Sequence, residues 1–389
     1  MANTISFTSL APLMYKAMQE VAREQIGAIN GVTINASGVD GAAFGDTVKS
    51  LIVSEASDIA SYTPAMTVPA AGDKTNTLDS FALDSFVGKD LAIVGETSKR
   101  LSNVGLYGAW IQGEFAQIFR SVFNEIEESV LATIYKGASR AVGAAGTTPF
   151  ASNTDTLVDL KKVMDDNGVP KADGQRTFVM DSSAEANIQK LTNLQAVNQA
   201  GDGGDLLRRG AMGSLHTFNL RSSAGIQTHT KGTATGYDAT AAFAVGDETI
   251  TVDGSDAGTI LNGDVVTFAG DSNKYIVKSA TADGAASGNI ILNNPGLQAT
   301  LADTVEGTTG ATYAANVGFH RRGVELAIRP PAQPEGGDIA KDRFLMSDPV
   351  SGLSLEFALY LGYGMNKIEA KAYYGSKVWN PHLVATLMG

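Results

Sequence analysis

The sequence predicts a mixed α+β fold, and three observations carry that prediction. Residues 233–316 consist of short apolar runs bounded by Gly, Asp and Asn, which is typical of short strands joined by tight turns. The segment Asn103–Arg140 repeats apolar residues at helical spacing. Near the end of the chain, Leu353–Tyr374 alternates as two long strands would, with a break near Tyr363–Asn366.

Composition excludes several classes of function. The chain has 389 residues, with 29 Lys and Arg against 41 Asp and Glu, a net charge of −12. Such a surface argues against a nucleic-acid groove, because that affinity comes mainly from cationic contacts with phosphates. No cysteine is present, which excludes disulfides, thiolate zinc sites and cysteine nucleophiles. We find no signal-peptide pattern and no apolar run long enough to span a bilayer, so we expect no membrane partner.

The first element is a helix expected from Ser9 to about Ile29, within an N-terminal arm of residues 1–43. Its apolar residues recur at helical spacing: Leu10, Met14, Met18 and Val21. Pro12 would lie in the first turn, where proline is tolerated. The pattern leaves open whether this stripe packs on its own chain or docks on a neighbouring copy.

Residues 44–95 show no sustained helical period and contain Pro64 and Pro69. They predict a long hairpin with its tip near Ala71–Asn76. A structureless loop of this length is unusual in a compact domain, so such an arm usually lies against something outside its own domain. Two ordinary sheet strands are the alternative. The candidate contact residues at the tip are Ala71, Gly72, Asp73, Lys74, Thr75 and Asn76.

The segment Asn103–Arg140 predicts a rod of roughly 50 Å, since an α-helix rises about 1.5 Å per residue. Its apolar stripe is formed by Leu106, Trp110, Phe115, Ile118, Val122, Phe123, Ile126, Val130 and Ile134. Trp110 is a candidate contact residue. Three acidic residues lie mostly off the stripe and are expected on a solvated face: Glu125, Glu127 and Glu128.

An α/β platform is predicted after the rod. A second helix spans Thr154–Asp166, and Thr177–Asp181 forms a short buried strand. Ser182 and Glu185 have the spacing of a capping box that would open a third helix, running to about Leu194. Extended structure is then expected over Met212–Thr230.

The block Thr233–Asn316 contains ten acidic residues and two bases, Lys274 and Lys278, so it carries −8 of the chain's net −12. This contrast in charge predicts a small β module inserted into a host domain. The host segments that lead into and out of the module should then lie close together. The late strands would then pair with segments before the insertion. The host platform would be discontinuous, formed by residues 151–232 and 317–389.

No catalytic or metal-binding set is evident. The histidines are scattered and lack metal-ligand spacing: His216, His229, His320 and His382. Phosphate-binding glycine loops and nucleophile elbows are absent from the sequence. The Arg208–Arg209 and Arg321–Arg322 pairs are interpreted as exposed or salt-bridged, and Asp165–Gly168 as the turn that ends a helix. We therefore expect no enzyme, no cofactor and no metal; the remaining parts suit contacts between copies of the chain.

A family resemblance rests on the order of the predicted elements and on two late stretches of sequence. These are Val317–Pro331, VGFHRRGVELAIRPP, and Leu361–Pro381, LGYGMNKIEAKAYYGSKVWNP. The chain resembles the major capsid proteins of tailed bacteriophages with the HK97-type fold. It is most similar to the subgroup of the short-tailed Salmonella phage coat protein, which bears an inserted domain. In that framework, residues 44–95 are the extended E-loop, 96–150 the spine helix and peripheral (P) domain, and 233–316 an inserted β-barrel-like domain. Residues 151–232 and 317–389 are the axial (A) domain with returning P-domain strands.

The resemblance implies pentamers and hexamers that tile an icosahedral shell around double-stranded DNA, bound without sequence specificity. It implies as partners other copies of the chain, a separate scaffolding protein and a portal protein. The protein would assemble in the host cytoplasm, mature from a procapsid and reside in the virion, with the inserted domain on the outer surface. Assembly contacts are expected from Met14, Met18, Trp110 and the tip residues.

Three other hypotheses remain. An encapsulin-like nanocompartment shell would assemble without a scaffold and bind a cargo peptide inside. A secreted β-rich adhesin would call for an export signal. An enzyme would need a residue set that the sequence does not show.

Overall fold

The computed structural model describes residues 6–24, 27–36, 41–52, 64, 77–195, 213–253, 258–281, 288–348 and 351–389. The helices are α1 Phe7–Glu24, α2 Gly95–Asn103, α3 Tyr107–Lys136, α4 Asp155–Asp166, α5 Ser182–Lys190 and α6 Thr192–Gln195. The first strands are β1 Thr33–Ala36, β2 Thr47–Ile52, β3 Thr77–Ala82, β4 Ser85–Val94, β5 Arg140–Gly143, β6 Arg176–Met180, β7 Ser214–Leu215, β8 Phe218–Ser222 and β9 Thr228–His229. Then come β10 Gly236–Ala239, β11 Thr249–Asp253, β12 Val265–Phe268, β13 Lys274–Ala280, β14 Gly288–Leu292 and β15 Glu306–Thr309. The last are β16 Tyr313–His320, β17 Val324–Arg329, β18 Ala340–Ser347, β19 Ser354–Leu361, β20 Met365–Val378 and β21 Val384–Met388.

Helix α3, the spine, is 30 residues long and carries the predicted apolar stripe. It does not begin at Asn103 as predicted. Helix α2 ends there, and Gly105 adopts a positive φ of 74°, a left-handed conformation that glycine takes without steric cost. The break leaves Leu106, predicted on the stripe, 54% exposed. From Phe115 to Ile134 every predicted stripe residue is buried.

The buried face of α3 packs against strands of two sheets and against α1. Of the described strands, six form one sheet in the order β1-β17-β20-β19-β18, with β4 paired to β20. Residues of α1, α3 and both sheets share one hydrophobic core. Met14 and Met18 are completely buried in it, so the α1 stripe packs on its own chain. Because α1 begins at Phe7 rather than Ser9, Pro12 lies inside the helix rather than in its first turn.

The platform sheet runs β5-β21-β16-β6-β8-β7, and the predicted helix and buried strand of this region are confirmed as α4 and β6. The predicted capping box is wrong. The Asp181 side chain caps α5 by accepting hydrogen bonds from the N–H groups of Ser183 and Ala184. Helix α5 also ends at Lys190 rather than near Leu194, and α6 follows it.

Late strands pair with early ones, as predicted. Strand β20 pairs with β4, β21 with β5, and β16 with β6. The host is therefore built from chain segments on both sides of the acidic block.

Six of the described strands from the acidic block pair in the cyclic order β12-β15-β10-β11-β14-β13, and pairing between β12 and β13 closes the ring. Buried and exposed residues alternate along β11 and β15, as expected when one face of a strand points into a barrel. The barrel has a hydrophobic core of its own, while Val265 of β12 and Ile276 of β13 pack into the core of the spine. Its last strand ends at Thr309, and Tyr313–Asn316 already belong to β16 of the platform.

Glu127 is the main departure from the predicted solvated face of α3. Its side chain is 3% exposed, and its carboxylate accepts hydrogen bonds from the backbone N–H groups of Gly27, Ala28 and Ile29 at 3.1, 2.6 and 3.1 Å. Burial raises the pKa of Glu127, and the hydrogen bonds to the carboxylate oppose that shift only in part. One carboxylate on the spine thus satisfies the buried turn that follows α1.

We predict that Glu127→Ala lowers the free energy of unfolding by about 3 kcal/mol or more, because it leaves three buried donors without an acceptor. Chemical denaturation would measure this. Glu128→Ala, at the exposed neighbouring position, is the matched control and should change stability by less than ~0.5 kcal/mol. Equal losses in the two variants would contradict the role of Glu127.

The platform contains a second buried charge that the sequence did not reveal. Arg176 is completely buried and donates to the carbonyls of Pro170 and Val169 and to the Asp165 carboxylate. Burial by itself raises the pKa of Asp165, but hydrogen bonds from Lys171, Arg176 and Lys161 outweigh it and lower the pKa to about 2. The C-terminal turn of α4 is thereby tied to the start of β6.

Asp165→Asn is expected to cost about 1–3 kcal/mol of unfolding free energy at pH 7, the range for hydrogen bonds to charged groups. Because the folded-state pKa of Asp165 is depressed, its contribution is present above about pH 4 and is lost as the pH falls through about 2. The difference in unfolding free energy between the variant and the parent should therefore decrease as the pH falls from about 4 to about 2. Asp166→Asn, at a half-exposed neighbouring carboxylate that pairs with Lys162, is the control. A difference that persisted at pH 2 would contradict this assignment.

Candidate assembly surface

Strands β2 and β3 form a two-stranded sheet of their own. Within the described residues, neither strand pairs with any other. Isolated two-stranded hairpins are marginally stable in water, so such an element depends on what covers it. The predicted hairpin is therefore present at its base, while the predicted tip, Ala71–Asn76, lies outside the described residues.

The hairpin base is anchored to the end of β20. The ring of Phe81 meets the Trp379 indole edge to face at 5.5 Å between centroids, and Lys377 forms an ion pair with Asp79. The hydrogen bond from Lys377 is the main cause that lowers the pKa of Asp79. A Cβ at Gly375 would lie 2.3 Å from the Ala82 carbonyl oxygen, so only glycine allows this approach. A small cluster of Ala42, Phe81, Leu83 and Ala327 fills the contact.

Large apolar side chains are exposed on and beside the hairpin base. Phe44, Leu78 and Phe86 are 66%, 67% and 51% exposed. The rings of Phe44 and Phe86 both pack near that of Tyr373, with ring centroids 6.3 and 5.3 Å apart. We call Phe44, Leu78 and Phe86 the hairpin surface. Exposed apolar groups beside an unpartnered hairpin are typical of an interaction surface rather than of a finished fold.

Of the predicted contact residues, the structure describes Met14, Met18 and Trp110. Met14 and Met18 lie in the core, with no exposed area. Trp110 is half-buried near the start of the spine, where its ring lies 6.1 Å from that of Tyr107. The hairpin surface was missed because single exposed aromatics in an extended segment carry no periodic signal.

The histidines have structural partners. His229 is buried, with Nε2 at 2.8 Å from Asp264, and His320 is buried, with Nε2 at 2.8 Å from Asp173. The His216 ring lies 3.4 Å from the Thr154 hydroxyl. Among the described residues, no three metal-ligating side chains cluster closely enough to hold an ion.

A groove of about 830 Å³ runs between the hairpin base, the end of β20 and the barrel. Its lining includes four asparagines and three lysines, among them Asn262, Lys136 and Lys278, together with Asp79, Glu248 and His382. The Thr133 and Ser376 hydroxyls hydrogen-bond to each other there at 2.8 Å.

Arg321 and Arg322 lie exposed in a 3₁₀ turn between β16 and β17, whereas Arg208–Arg209 lie outside the described residues. None of the helices in the described part of the chain combines the length and apolarity needed to cross a bilayer.

Trp110→Ala is expected to lower the unfolding free energy by about 1–3 kcal/mol, less than the ~3–5 kcal/mol of a fully buried aromatic, because the indole is only half-buried. Phe115→Ala, at a fully buried stripe position, is the comparison and should reach the higher range. Denaturant titration monitored by circular dichroism would measure both. A loss below ~0.5 kcal/mol for Trp110 would contradict its contact with the core.

No family model matches the chain, and no curated protein matches it. Among solved structures, it is similar to the capsid of a native GTA particle, with a TM-score of 0.47 at 11% identity, covering 95% of this chain and 90% of that one. It is similar to the capsid of the cyanophage P-SCSP1u, with a TM-score of 0.44 at 12% identity over 92% and 86% of the two chains. It is also similar to a virus-like particle from Pyrococcus furiosus, with a TM-score of 0.45 at 8% identity over 97% and 98%.

Proposed function

We propose that this chain is a self-assembling shell subunit, the major capsid protein of a tailed bacteriophage, and not an enzyme. The observation that carries the proposal is the β2–β3 hairpin. It is anchored at one end, pairs with no other described strand and is flanked by exposed Phe44, Leu78 and Phe86. A neighbouring copy would supply the cover that the hairpin lacks.

The spine supports the same function. A continuous 30-residue helix packed on two sheets gives the subunit one stiff axis, about 45 Å long at ~1.5 Å per residue. A closed shell needs subunits that hold their shape while their edges make contacts. The residue order in the late stretches, Val317–Pro331 and Leu361–Pro381, supports the HK97-type fold, with the domain boundaries expected from that resemblance.

Our finer proposal follows the same resemblance. Pentamers and hexamers would form an icosahedral shell around double-stranded DNA, with a separate scaffolding protein and a portal protein as partners. Assembly would take place in the host cytoplasm, followed by procapsid maturation to the virion. The net charge of −12 supports DNA enclosure without tight or sequence-specific binding, since the DNA backbone repels an acidic chain.

The barrel supports the subgroup with an inserted domain. It has its own closed strand ring and its own core, and the block that forms it carries ten acids against two bases. Such a charge suits a module exposed to solvent on the outside of a shell rather than one facing DNA.

The test is negative-stain electron microscopy combined with light-scattering mass on this chain, expressed with and without its neighbouring genes. We expect closed shells of uniform size that require a co-expressed scaffold. Shells that form from the chain alone and retain a cargo peptide would identify an encapsulin-like compartment instead. A monomer under every condition would refute the shell function.

We predict that removing residues 71–76, or replacing Leu78 by Ser, reduces shell yield about tenfold or more while the subunit stays folded. Leu78 is exposed, so its replacement should change the unfolding free energy by less than ~0.5 kcal/mol. Val245→Ser, at a barrel position of similar exposure (58%), is the matched control and should leave the yield unchanged. Shell yield would be measured by sedimentation of assembly reactions. An undiminished yield in both hairpin variants, or an unfolded subunit, would count against the hairpin as an assembly element.

A further inference from the structure

In the described part of the chain, polar contacts join the barrel to the host at three places: the end of the spine, the strand after it, and the segments that enter and leave the barrel. The first contact is Asn293, which follows β14 and is 3% exposed. Its Nδ2 donates to the carbonyls of Lys136 and Ala138 at 2.9 and 2.8 Å. The last carbonyls of any α-helix lack partners within the helix. Here a barrel side chain supplies one.

The second contact is a strand pairing. Strand β13 of the barrel pairs with β5, which begins four residues after the spine ends. Side chains reinforce the pairing, since Arg140 donates to Asn273 at 3.1 Å and Lys274 donates to the Gly143 carbonyl. Backbone and side chains together thus fix the barrel to β5.

The third contact is a buried polar cluster where the chain passes into the barrel. The Asp264 carboxylate, 1% exposed, lies 2.8 Å from His229 and accepts from the Gly232 N–H at 3.1 Å. Tyr135, in the last turn of the spine, places its hydroxyl 3.4 Å from the other ring nitrogen of His229. On the chain leaving the barrel, the Tyr313 hydroxyl donates to the Gly263 carbonyl at 2.7 Å.

We propose that the barrel and the C-terminal turn of the spine are coupled as one rigid body, with Asn293 as a positioning residue of that coupling. The three contacts hold a helix end, an adjacent strand and the crossing chains. A rotation of the barrel about any one contact would break the other two and leave buried polar groups unpaired, which is costly. A movement of the last spine turn is therefore transmitted to the orientation of the barrel. This inference concerns the free chain and holds whether or not the chain forms shells.

Hydrogen exchange measured by mass spectrometry on the full chain tests the coupling. Asn293→Ala is expected to lower protection of the amides in residues 134–143 about tenfold or more, while barrel-core amides such as those of Ile250 and Val252 keep theirs. Asn262→Ala, at an exposed asparagine on the rim of the same groove, is the matched control and should leave both regions unchanged. Unchanged protection of residues 134–143 in Asn293→Ala would overturn the proposal.

A distance measurement separates coupling from simple loss of stability. The chain has no cysteine, so spin labels can be placed at Glu125→Cys on the exposed side of the spine and at Val245→Cys on the barrel. Rigid coupling predicts one narrow distance distribution, which broadens when Asn293→Ala is added. If that variant fails to fold, Asn273→Ala, which removes one of the three acceptors of Arg140 and the amide that donates to Asp271, serves in its place. A broad distribution in the labelled parent chain, or one unaffected by the added variant, would show that the barrel is not held by these contacts.

Discussion

The rest of the structure depends on the need to cover one face of the spine. Its buried residues run from Ile111 to Tyr135, and no single sheet of this size covers a stripe of that length. Strands β4 and β20 cover it from one sheet, β16 and β21 from the other, and α1 lies alongside. The two sheets belong to one folded unit because they share this helix. The burial of Met14 and Met18 has the same cause, since α1 fills the remaining part of the stripe.

The spine also supplies polar groups to its surroundings. Glu127 satisfies three N–H groups of the turn after α1, and the carbonyls at the end of the helix accept from Asn293. A carboxylate with a burial-raised pKa is a costly acceptor, but the alternative is three unsatisfied backbone donors. The helix therefore fixes both the N-terminal segment and the barrel through hydrogen bonds, while its apolar face fixes the sheets.

Periodicity was enough to predict the spine and α4, because each buries one regular face. The barrel strands and β6 were predicted instead as short apolar runs, and β6 is buried along its whole length. Periodicity was not enough to place Glu127, since a polar residue off the stripe looks the same whether it meets water or a distant turn. The break at Gly105 was missed because a single glycine in a helical pattern is usually tolerated. Ser182 and Glu185 matched a capping box, yet Asp181, one residue earlier, is the stronger cap by position.

The candidate site was harder to predict than the fold. Met14 and Met18 lie on the apolar stripe of a helix. Such a stripe indicates that the helix face is buried, but it does not indicate whether the same chain or a neighbouring copy covers it. The hairpin surface depends on Phe44 and Phe86, which are distant in sequence and both contact Tyr373, and on Leu78, which lies farther along β3 opposite Leu51. Long-range contacts of this kind leave no local signature in the chain.

The hairpin and the barrel are both β elements that extend away from the main core of the subunit, and they differ in how their strands are paired and covered. The barrel closes its strand ring through β12 and β13 and encloses a core of its own, so most of its strand edges are paired within the ring, and β13 also pairs with β5 of the host. As far as the hairpin is described, it has two strands that pair with no third strand, and it is anchored at its base. Its stability must come from whatever lies against it. A closed barrel with a core of its own can project into solvent, whereas a two-stranded hairpin with exposed apolar groups is suited to a contact with another copy.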